Sequence, residues 1–307
     1  MDTILNEGEK TVQRLAGVEK EGARVARLAI KNRITPGLFP YIQGLPLAFV
    51  GSTDAKGQLW SSLLIGDIGF IEVPHIHEVR FHIPKIKSDT SDIFFKNSVT
   101  NASVGIMFKD PSERIRYRVN GTVIEATEEI IRIKVIEAYG NCPKYIQACN
   151  ISDIESTSYS DTTSIQDQAL GNYEKEWIRN ADTFYIATRG LDGRADASHR
   201  GGNPGFVEIM PDGTLKIPDY YGNNMFNSLG NIYENPNTGL LFVNFESGET
   251  LQITGKGKIL FDQTTPGDIE KSGSTGRFWL FSPKQWIYTK NHHKAQWDFI
   301  DYSPYNP

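Results

Sequence analysis

The chain repeats part of its own sequence. Residues 48–73 align with residues 184–209 at an offset of 136, and after a two-residue slip the match continues at an offset of 134. The identical pairs are Gly57/Gly193, Ser62/Ser198, Gly66/Gly202, Gly69/Gly205, Phe70/Phe206, Glu72/Glu208, Ile83/Ile217, Pro84/Pro218, Asn97/Asn231, Asn101/Asn235, Gly105/Gly239, Phe108/Phe242 and Gly121/Gly255. Most of these residues are glycines or core-type apolar residues, which set turns and packing. Because a repeat of about 135 residues is far longer than a solenoid unit, it predicts two domains of the same fold.

The two copies have the same order of predicted elements. Short alternating runs such as PLAFVGST and TFYIATR predict strands, and turns such as residues 54–57 and 211–213 separate them. One helical segment lies between the strands of each copy. Strands this short and closely spaced are typical of a small antiparallel barrel.

Segments outside the copies indicate the domain boundaries. Residues 5–31 predict an amphipathic helix rich in Glu, Lys and Arg, whereas residues 152–168 are polar and poor in large apolar side chains. We therefore expect an N-terminal helix and a first barrel in residues 1–150. A polar linker would follow in residues 151–168, and a second barrel with a C-terminal tail in residues 169–307.

Composition excludes several functional classes. The formal net charge is −5, which provides no general attraction to nucleic acid or anionic lipid. No apolar run approaches the ~18 residues of a membrane-spanning helix. The first twenty residues also lack the apolar stretch of a signal peptide. We expect a cytoplasmic protein whose partner is a small-molecule substrate or electron donor, without nucleic-acid or membrane partners, as a monomer or a homodimer.

The copies differ where the second carries Ser198-His199-Arg200 and the first has Ser62-Leu63-Leu64. Side chains alternate along a strand, so Ser198 and Arg200 share one face and His199 lies on the other. This alternation excludes a Ser–His nucleophilic pair and favours joint action of Ser198 and Arg200 on one ligand. For His199 two roles remain open. It packs in the core with a backbone hydrogen bond, which the alternation favours, or it lines the substrate side of a ligand.

A second difference lies in residues 217–236. Met225, Phe226, Leu229, Ile232 and Tyr233 recur at helical spacing, after a Gly-Asn-Asn turn that offers an Asn cap. A helix N-terminus attracts phosphate, and an arginine can add a bidentate contact. The polar residues that would form such a phosphate site are Arg200, Asn223, Asn224, Asn227 and Ser228. In the first copy Leu64 and Phe94 replace Arg200 and Ser228. The alternative is that the Asn-rich turn only caps the helix and Arg200 is a surface charge.

At these residues the chain resembles the pyridoxamine 5′-phosphate oxidase-like family of FMN-binding split β-barrels, and in particular its long, internally duplicated members. The second copy carries the likeness in ADASHRGGNPGFVEI, LKIPDYYGNNMFNSLGNIYENPNTGLLFVNF and LQITGKGKI. RYRVNGTV and GNCPKYIQ resemble the end of the other half. The resemblance implies a mainly β fold with α additions. In it, two tandem antiparallel, Greek-key-like split β-barrels form an internal pseudo-dimer.

The resemblance also implies a cofactor and its ligands. FMN would be held noncovalently between the barrels, mainly by the second copy, with Arg200 on the phosphate. A basic residue usual in the following helix is replaced here by Asn227-Ser228, so the Asn cluster would have to compensate. Gln252 matches a position that faces the flavin ring. Candidate ring or phosphate partners from the first barrel are Arg116, Arg118, Lys144 and Tyr145. For Arg116 and Arg118 a solvated strand face is the alternative.

The function implied is that of an FMN-dependent oxidoreductase with an unknown substrate and no assigned catalytic residue. The tail TKNHHKAQWDFIDYSPYNP lacks the basic and His arrangement with which the oxidase proper holds its substrate, so we do not expect vitamin B6 oxidation. The alternatives are a noncatalytic flavin or haem protein for binding, storage or sensing, and a relic that no longer binds flavin. We expect no metal site, since no Cys or carboxylate completes a set around His75 and His77. His292 and His293 are expected to be exposed.

Overall fold

The computed structural model describes residues 4–157 and 162–307. Its first sheet is antiparallel and has the strand order β2-β1-β5-β6-β7-β4-β3. These strands are β1 (Leu47–Thr53), β2 (Leu59–Ile65), β3 (Ile71–His75), β4 (Glu78–His82), β5 (Ser103–Asp110), β6 (Ile115–Ala126) and β7 (Ile130–Gly140). Aliphatic and aromatic side chains from these strands form the core of the first barrel, which includes Val50, Phe81 and Val119.

The second sheet has the equivalent strand order. Two strands precede it in the chain, β8 (Ala148–Glu155) and β9 (Thr163–Asp167). The sheet itself contains β10 (Thr183–Arg189), β11 (Ala195–Gly201), β12 (Glu208–Ile209), β13 (Leu215–Pro218), β14 (Asn237–Asn244), β15 (Glu249–Leu260) and β16 (Phe278–Lys290). Its order is β11-β10-β14-β15-β16-β13-β12, with β9 added outside β16. The prediction of two tandem antiparallel barrels is therefore confirmed.

Two glycines at equivalent positions let the barrels approach closely. A Cβ atom at Gly105 of β5 would lie 2.5 Å from the backbone nitrogen of Ala197. A Cβ atom at Gly239 of β14 would lie 2.5 Å from the carbonyl oxygen of Leu59. Between them Phe49 and Tyr185, which are also equivalent in the repeat, stack with ring centroids 3.4 Å apart. The repeated glycines thus mark the contact between the two barrels.

The helices lie around the barrels. They are α1 (Glu7–Leu15), α2 (Glu19–Ala29), α3 (Phe39–Gln43), α4 (Ile93–Asn97), α5 (Asn172–Asn180), α6 (Asn227–Glu234) and α7 (Pro266–Lys271). The helix predicted over residues 5–31 is two helices, because the chain turns at Gly17, whose φ is +72°. A capping box between Asn6 and Glu9 starts α1. No helix in the described ranges is long and apolar enough to span a membrane.

The segment between the barrels is paired with the end of the chain. Strand β8 pairs with β17 (Lys294–Asp301), and β9 pairs with β16. The predicted linker therefore contains strand residues at both ends, and its residues 158–161 lie outside the described ranges. The division of the chain into domains at this segment stays a prediction.

The two histidines of the tail are buried, so the expectation that they are exposed was wrong. His292 is 1% exposed and His293 is 2% exposed. The ring Nε2 of His292 lies 2.9 Å from the carbonyl oxygen of Leu63, which ties the tail to the first barrel. Burial, together with the charge of His292, lowers the pKa of His293 to about 3.

Candidate anion-binding site between the barrels

A pocket of about 120 Å³ lies between the two barrels. The first barrel contributes residues from β6 and from the segment after β7, and the second contributes β11 and the residues that lead into α6. The predicted site residues that line it are Arg116, Arg118, Lys144, Tyr145, Arg200, Asn223, Asn224, Asn227 and Ser228. Residues 116 and 200, far apart in the sequence, thus belong to one pocket, as predicted from the resemblance.

Arg118 joins the barrels through a buried ion pair. Its Nη1 atom donates to both carboxylate oxygens of Asp196, each at 3.1 Å, and its Nη2 atom donates to Ser198 Oγ. Arg200 Nη1 donates to the same Ser198 hydroxyl at 3.1 Å. Ser198 is fully buried behind the pocket. Ser198 thus links the two guanidinium groups, while its predicted joint action with Arg200 on one ligand stays a prediction.

Arg116 extends from β6 to a neutral histidine. Its Nη1 atom lies 3.1 Å from His199 Nδ1, and its Nη2 atom donates to the carbonyl oxygens of Cys142 and, at 3.2 Å, of Lys144. Since a guanidinium has only donors, His199 Nδ1 accepts and the ring proton is assigned to Nε2. Burial, followed by the charge of Arg116, holds the pKa of His199 well below its ordinary value. The Nε2 atom is buried and has no partner among the described residues.

His199 also packs against a neighbouring strand of its own barrel. Its ring meets that of Tyr185 edge-on, with centroids 5.4 Å apart. It is 2% exposed, which agrees with the packing role favoured from the sequence, yet it lines the pocket and contacts a side chain rather than the backbone. The role of His199 on the substrate side of a ligand stays a prediction.

The entrance to α6 differs from the sequence prediction. The helix begins at Asn227, after Phe226 in a left-handed conformation with φ of 59° and no side-chain cap, so the predicted Asn cap was wrong. Asn223 Oδ1 instead accepts from the backbone N–H of Met225 at 3.1 Å, which closes a local turn. Because Phe226 adopts this conformation, the helix starts beyond the reach of the Asn-rich turn.

Helix α1 holds α6 in place from outside the pocket. Asn227 Nδ2 donates to Glu9 Oε1 at 2.6 Å, and the backbone N–H of Gly8 donates to Glu234 Oε1 at 2.9 Å. Burial raises the pKa of Glu9 to about 8, so its carboxyl group is mainly protonated at neutral pH. One of the two N–H donors of the Asn227 amide is thus engaged with α1.

Positive charge exceeds negative charge around the pocket. Among the described residues, Arg116, Arg200 and Lys144 have no carboxylate within 4.0 Å. Asp196 is paired with Arg118, and Asp219 is paired with Arg277 at 3.0 Å. Burial and the charges of Arg118 and Arg200 lower the pKa of Arg116 to about 9, so it remains charged at neutral pH. A site with unpaired cations and few anions favours an anionic ligand.

Three arginines at the pocket each have one N–H donor without a hydrogen-bond partner among the described residues. The Nε atoms of Arg116, Arg118 and Arg200 are buried and have no hydrogen-bond partner in the described part of the chain. Arg118 is 7% exposed and both β6 arginines contact the second barrel, so the alternative of a solvated strand face does not apply. Buried donors normally have partners, and these would be satisfied by a ligand rich in acceptors.

Gln252 is not brought to this pocket. Its amide nitrogen donates to the carbonyl oxygen of Ser61 at 2.9 Å and to Ser62 Oγ at 2.8 Å. In the repeat Gln252 corresponds to Arg118 and Ser62 to Ser198, so this contact is the symmetry counterpart of the Arg118–Ser198 contact. The counterpart site in the first copy is apolar. Buried Trp60, Leu64 and Phe94 occupy the positions that correspond to Asp196, Arg200 and Ser228, respectively.

Asp196 is the residue that sequence reasoning missed. It is 2% exposed and accepts from Arg118, from Tyr139 Oη at 3.2 Å and from Ser228 Oγ at 3.3 Å. The signal was present, because residues 196, 198 and 200 alternate onto one face of the same strand. The two copies also differ at this position, because the first copy has Trp60 where the second has Asp196.

The enclosed volume limits what can be held inside. Small-molecule pockets usually measure roughly 300–1,000 Å³, whereas this one has about 120 Å³. Two tyrosines also line it: the rings of Tyr145 and Tyr220 lie 5.0 Å apart, and Tyr145 Oη donates to the carbonyl oxygen of Tyr221 at 2.9 Å. The closed part therefore suits a phosphate-sized group, and a larger ligand would extend out of it.

No arrangement of three or more His, Cys, Asp or Glu side chains suited to a metal ion occurs within the described residues. His75 and His77 do not act together on one group. His75 Nε2 lies 3.3 Å from Glu78 Oε2, whereas His77 Nδ1 lies 3.1 Å from the carbonyl oxygen of Asn32.

Comparison with known proteins gives a match in the second copy. Residues 173–275 match the family model described as pyridoxamine 5′-phosphate oxidase, a segment that includes β11 and α6. No curated protein matches the chain. Similar solved structures include a pyridoxamine 5′-phosphate oxidase-related, FMN-binding protein from Nostoc punctiforme, at 11% identity and a TM-score of 0.28, covering 43% of this chain and 98% of that one.

Two further structures have comparable scores. An FAD-binding protein from Mesorhizobium loti is 12% identical with a TM-score of 0.30, covering 42% of this chain and 97% of its own. HutZ, the heme storage protein from Vibrio cholerae, is 15% identical with a TM-score of 0.29, covering 38% of this chain and 92% of its own. The resemblance found in the sequence is confirmed by the family match over residues 173–275, which lie in the second copy.

Proposed function

We propose that the chain binds FMN through its phosphate in the pocket between the barrels and acts as an FMN-dependent oxidoreductase. The observation that carries this proposal is the set of guanidinium groups from both barrels around one pocket, with buried Nε donors that have no partner among the described residues. A phosphate group supplies several acceptor oxygens and negative charge in one small volume. The resemblance to the FMN-binding split-barrel family, to which the match over residues 173–275 adds support, favours a flavin as the phosphate ester.

The residues present fit the phosphate end of FMN. Arg200 and Arg116 would hold it, with Asn223, Asn224 and Ser228 as neutral neighbours. The isoalloxazine ring would lie outside the enclosed 120 Å³. When bound, FMN would supply the hydride or electron chemistry, and the protein would orient it.

His199 would act as a fixed hydrogen-bond donor. Because Arg116 occupies Nδ1, the Nε2–H group is available to an acceptor atom of the ligand. Its lowered pKa means that the ring gains no proton near pH 7. It would therefore position a ligand rather than exchange protons with a substrate.

This property of His199 favours a second candidate, a noncatalytic flavin-binding protein. General acid–base catalysis works best with a group whose pKa lies near the working pH, and His199 does not meet that condition. Reduction of the bound flavin by NADH or NADPH with repeated turnover would support the oxidoreductase. Binding without turnover would support the second candidate.

Calorimetric titration with FMN and riboflavin tests the phosphate site. We expect FMN to bind more tightly than riboflavin. We also expect Arg200→Gln to weaken FMN binding about ten- to a hundredfold, since a charge-assisted contact contributes roughly 1.5–3 kcal/mol. Riboflavin binding should be insensitive to Arg200→Gln because it has no phosphate.

Arg27→Gln is the matched control, because Arg27 is exposed on α2 and its loss changes the net charge equally. FMN affinity should not change in this variant. Equal affinities of the wild-type protein for FMN and riboflavin, or an Arg200→Gln variant with unchanged FMN affinity, would refute the phosphate assignment.

A further inference from the structure

A second and larger cavity lies where β5 of the first barrel and β14 of the second barrel end. Its volume is about 510 Å³, within the usual range of small-molecule sites. It shares no lining residue with the anion pocket. Its walls come from both barrels, from α5 and from β17 at the end of the chain.

Aromatic side chains form much of the wall. Tyr173 and Trp177 come from α5, with ring centroids 6.2 Å apart at 69°. Phe245 and Trp297 approach to 4.2 Å between centroids, and Phe299 lines the cavity beside them. The indole Nε1 of Trp297 is buried and has no partner in the described part of the chain. Surfaces of this kind favour a planar aromatic molecule.

A buried lysine supplies a cation to the cavity. Lys109 is 3% exposed, and the hydrogen bond that its Nζ atom makes is to Tyr185 Oη at 3.3 Å. Within the described residues no carboxylate lies within 4.0 Å of Nζ. The equivalent position in the second copy is Val243, which also lines the cavity. The two copies therefore differ here, with a charged side chain in the first and an apolar one in the second.

Nearby groups set the charge of this lysine. Burial lowers the pKa of Lys109 to about 8, and the charge of Arg116 acts in the same direction. Cys149, Asp182 and Asp110 oppose the shift. Burial also raises the pKa values of Asp182 and Cys149, which favours their neutral forms. Lys109 therefore remains mainly protonated at neutral pH beside groups whose own negative charge is disfavoured.

Two further carboxylates line the cavity in more exposed positions. Glu246 is exposed, and the Glu176 side chain is 67% exposed. Charges in contact with water are screened, whereas the field of a buried group is not. The unscreened charge of Lys109 should therefore decide which ligand charge is preferred inside.

We propose that this cavity is a second ligand site, which binds a planar aromatic carboxylate with its ring among the aromatic side chains and its carboxylate on Lys109. The carboxylate would give the buried ammonium group the anionic partner that it lacks. Trp297 Nε1–H offers a further donor. The residues that line this site are distinct from those of the anion pocket.

Three naphthalene probes with small polar groups of different charge test the proposal by isothermal titration calorimetry. They are 2-naphthoate, neutral 2-naphthylmethanol and cationic 2-naphthylmethylammonium. We expect the wild-type protein to bind naphthoate about ten- to a hundredfold more tightly than the alcohol, as for a charge-assisted hydrogen bond. The ammonium probe should bind most weakly. Equal affinities, tightest binding of the ammonium probe, or no binding of naphthoate would overturn the proposal.

Variants test whether Lys109 causes the preference for naphthoate. Lys109→Met should abolish the preference for naphthoate and leave the affinity for the alcohol unchanged, which also shows that the cavity is intact. Lys258→Met, at an exposed position on β15, is the control and should keep the preference. Retention of the preference in Lys109→Met would overturn the proposal. If that variant does not fold, Trp297→Phe decides. This variant keeps a smaller aromatic ring and removes the Nε1–H donor, so naphthoate, whose charged oxygens are the stronger acceptors, should weaken relative to the alcohol. An unchanged ratio would overturn the proposal.

Discussion

Replacing Arg118 with methionine would leave the carboxylate of Asp196 buried without its cationic partner. The side chains of this pair are 8% and 3% exposed, and both carboxylate oxygens accept from the same Nη1 atom at 3.1 Å. Removing one partner of such a pair costs roughly 3–5 kcal/mol of unfolding free energy. Tyr139 and Ser228 still donate to Asp196, so we expect the lower end of this range, about 3 kcal/mol.

Urea unfolding followed by tryptophan fluorescence measures this loss. In a thermal scan, an unfolding entropy of about 2.1 cal/mol/K per residue over 307 residues converts 3 kcal/mol into a decrease in Tm of about 5 °C. The double variant Arg118→Met/Asp196→Leu should recover most of the stability, because it removes the unpaired charge as well.

An exposed ion pair provides the control. Arg24 and Glu21 on α2 are 61% and 48% exposed, so Arg24→Met should leave the stability nearly unchanged. A loss below about 1 kcal/mol in Arg118→Met would refute the reasoning. So would a double variant as unstable as the sum of its two single variants.

Three other predictions concern the fold and the pocket. Burial raises the pKa of Glu9 from its ordinary value of about 4.5 to about 8, so the stability of the wild-type protein should fall as pH rises between these values. Glu9→Gln should therefore gain stability relative to the wild type between pH 5 and pH 8 in urea titrations, and a pH-independent difference would contradict the assignment. Because buried Trp60 and Leu64 occupy the counterpart of the anion pocket, calorimetry should give one FMN per chain, and a stoichiometry of two would contradict this. Gly105→Ala should lower the unfolding free energy by about 1–3 kcal/mol because the added Cβ forces the barrels apart. Gly140→Ala is the control and should be nearly neutral, since its Cβ would contact nothing within 4 Å. Equal effects of the two variants in thermal unfolding would show that the glycine contact is unimportant.

The sequence predicted the paired barrels because the repeated residues are those on which the fold depends. Gly105 and Gly239 match in the repeat and lie where the barrels meet. The polar residues that distinguish the second copy also led to the pocket, since Arg200 and Ser228 line it. Comparing a chain with itself therefore separated packing positions from candidate binding positions.

Details that depend on three-dimensional contacts could not be predicted. The left-handed conformation of Phe226 moves the start of α6, and no local sequence pattern predicts this conformation. Gln252 was assigned by resemblance, but its partner is Ser62 in the other copy. The burial of His292 follows from the return of the tail to the first barrel, a long-range contact without a sequence signal.

The aromatic cavity was missed for a related reason. Its side chains come from α5, the β14–β15 turn and β17, which are distant in the sequence and show no common spacing. Lys109 could have been noticed, since it is a charged residue at the end of an apolar strand and aligns with Val243 in the other copy.

The ion pair between Arg118 and Asp196 joins two halves of one polypeptide, which bears on how the pocket responds to dilution. When two separate subunits share a site, the complete site disappears as the protein is diluted below the dissociation constant of the dimer. Here both halves are covalently linked, so their effective concentration is fixed by the chain. Ligand affinity at this pocket should therefore be the same at nanomolar and at micromolar protein.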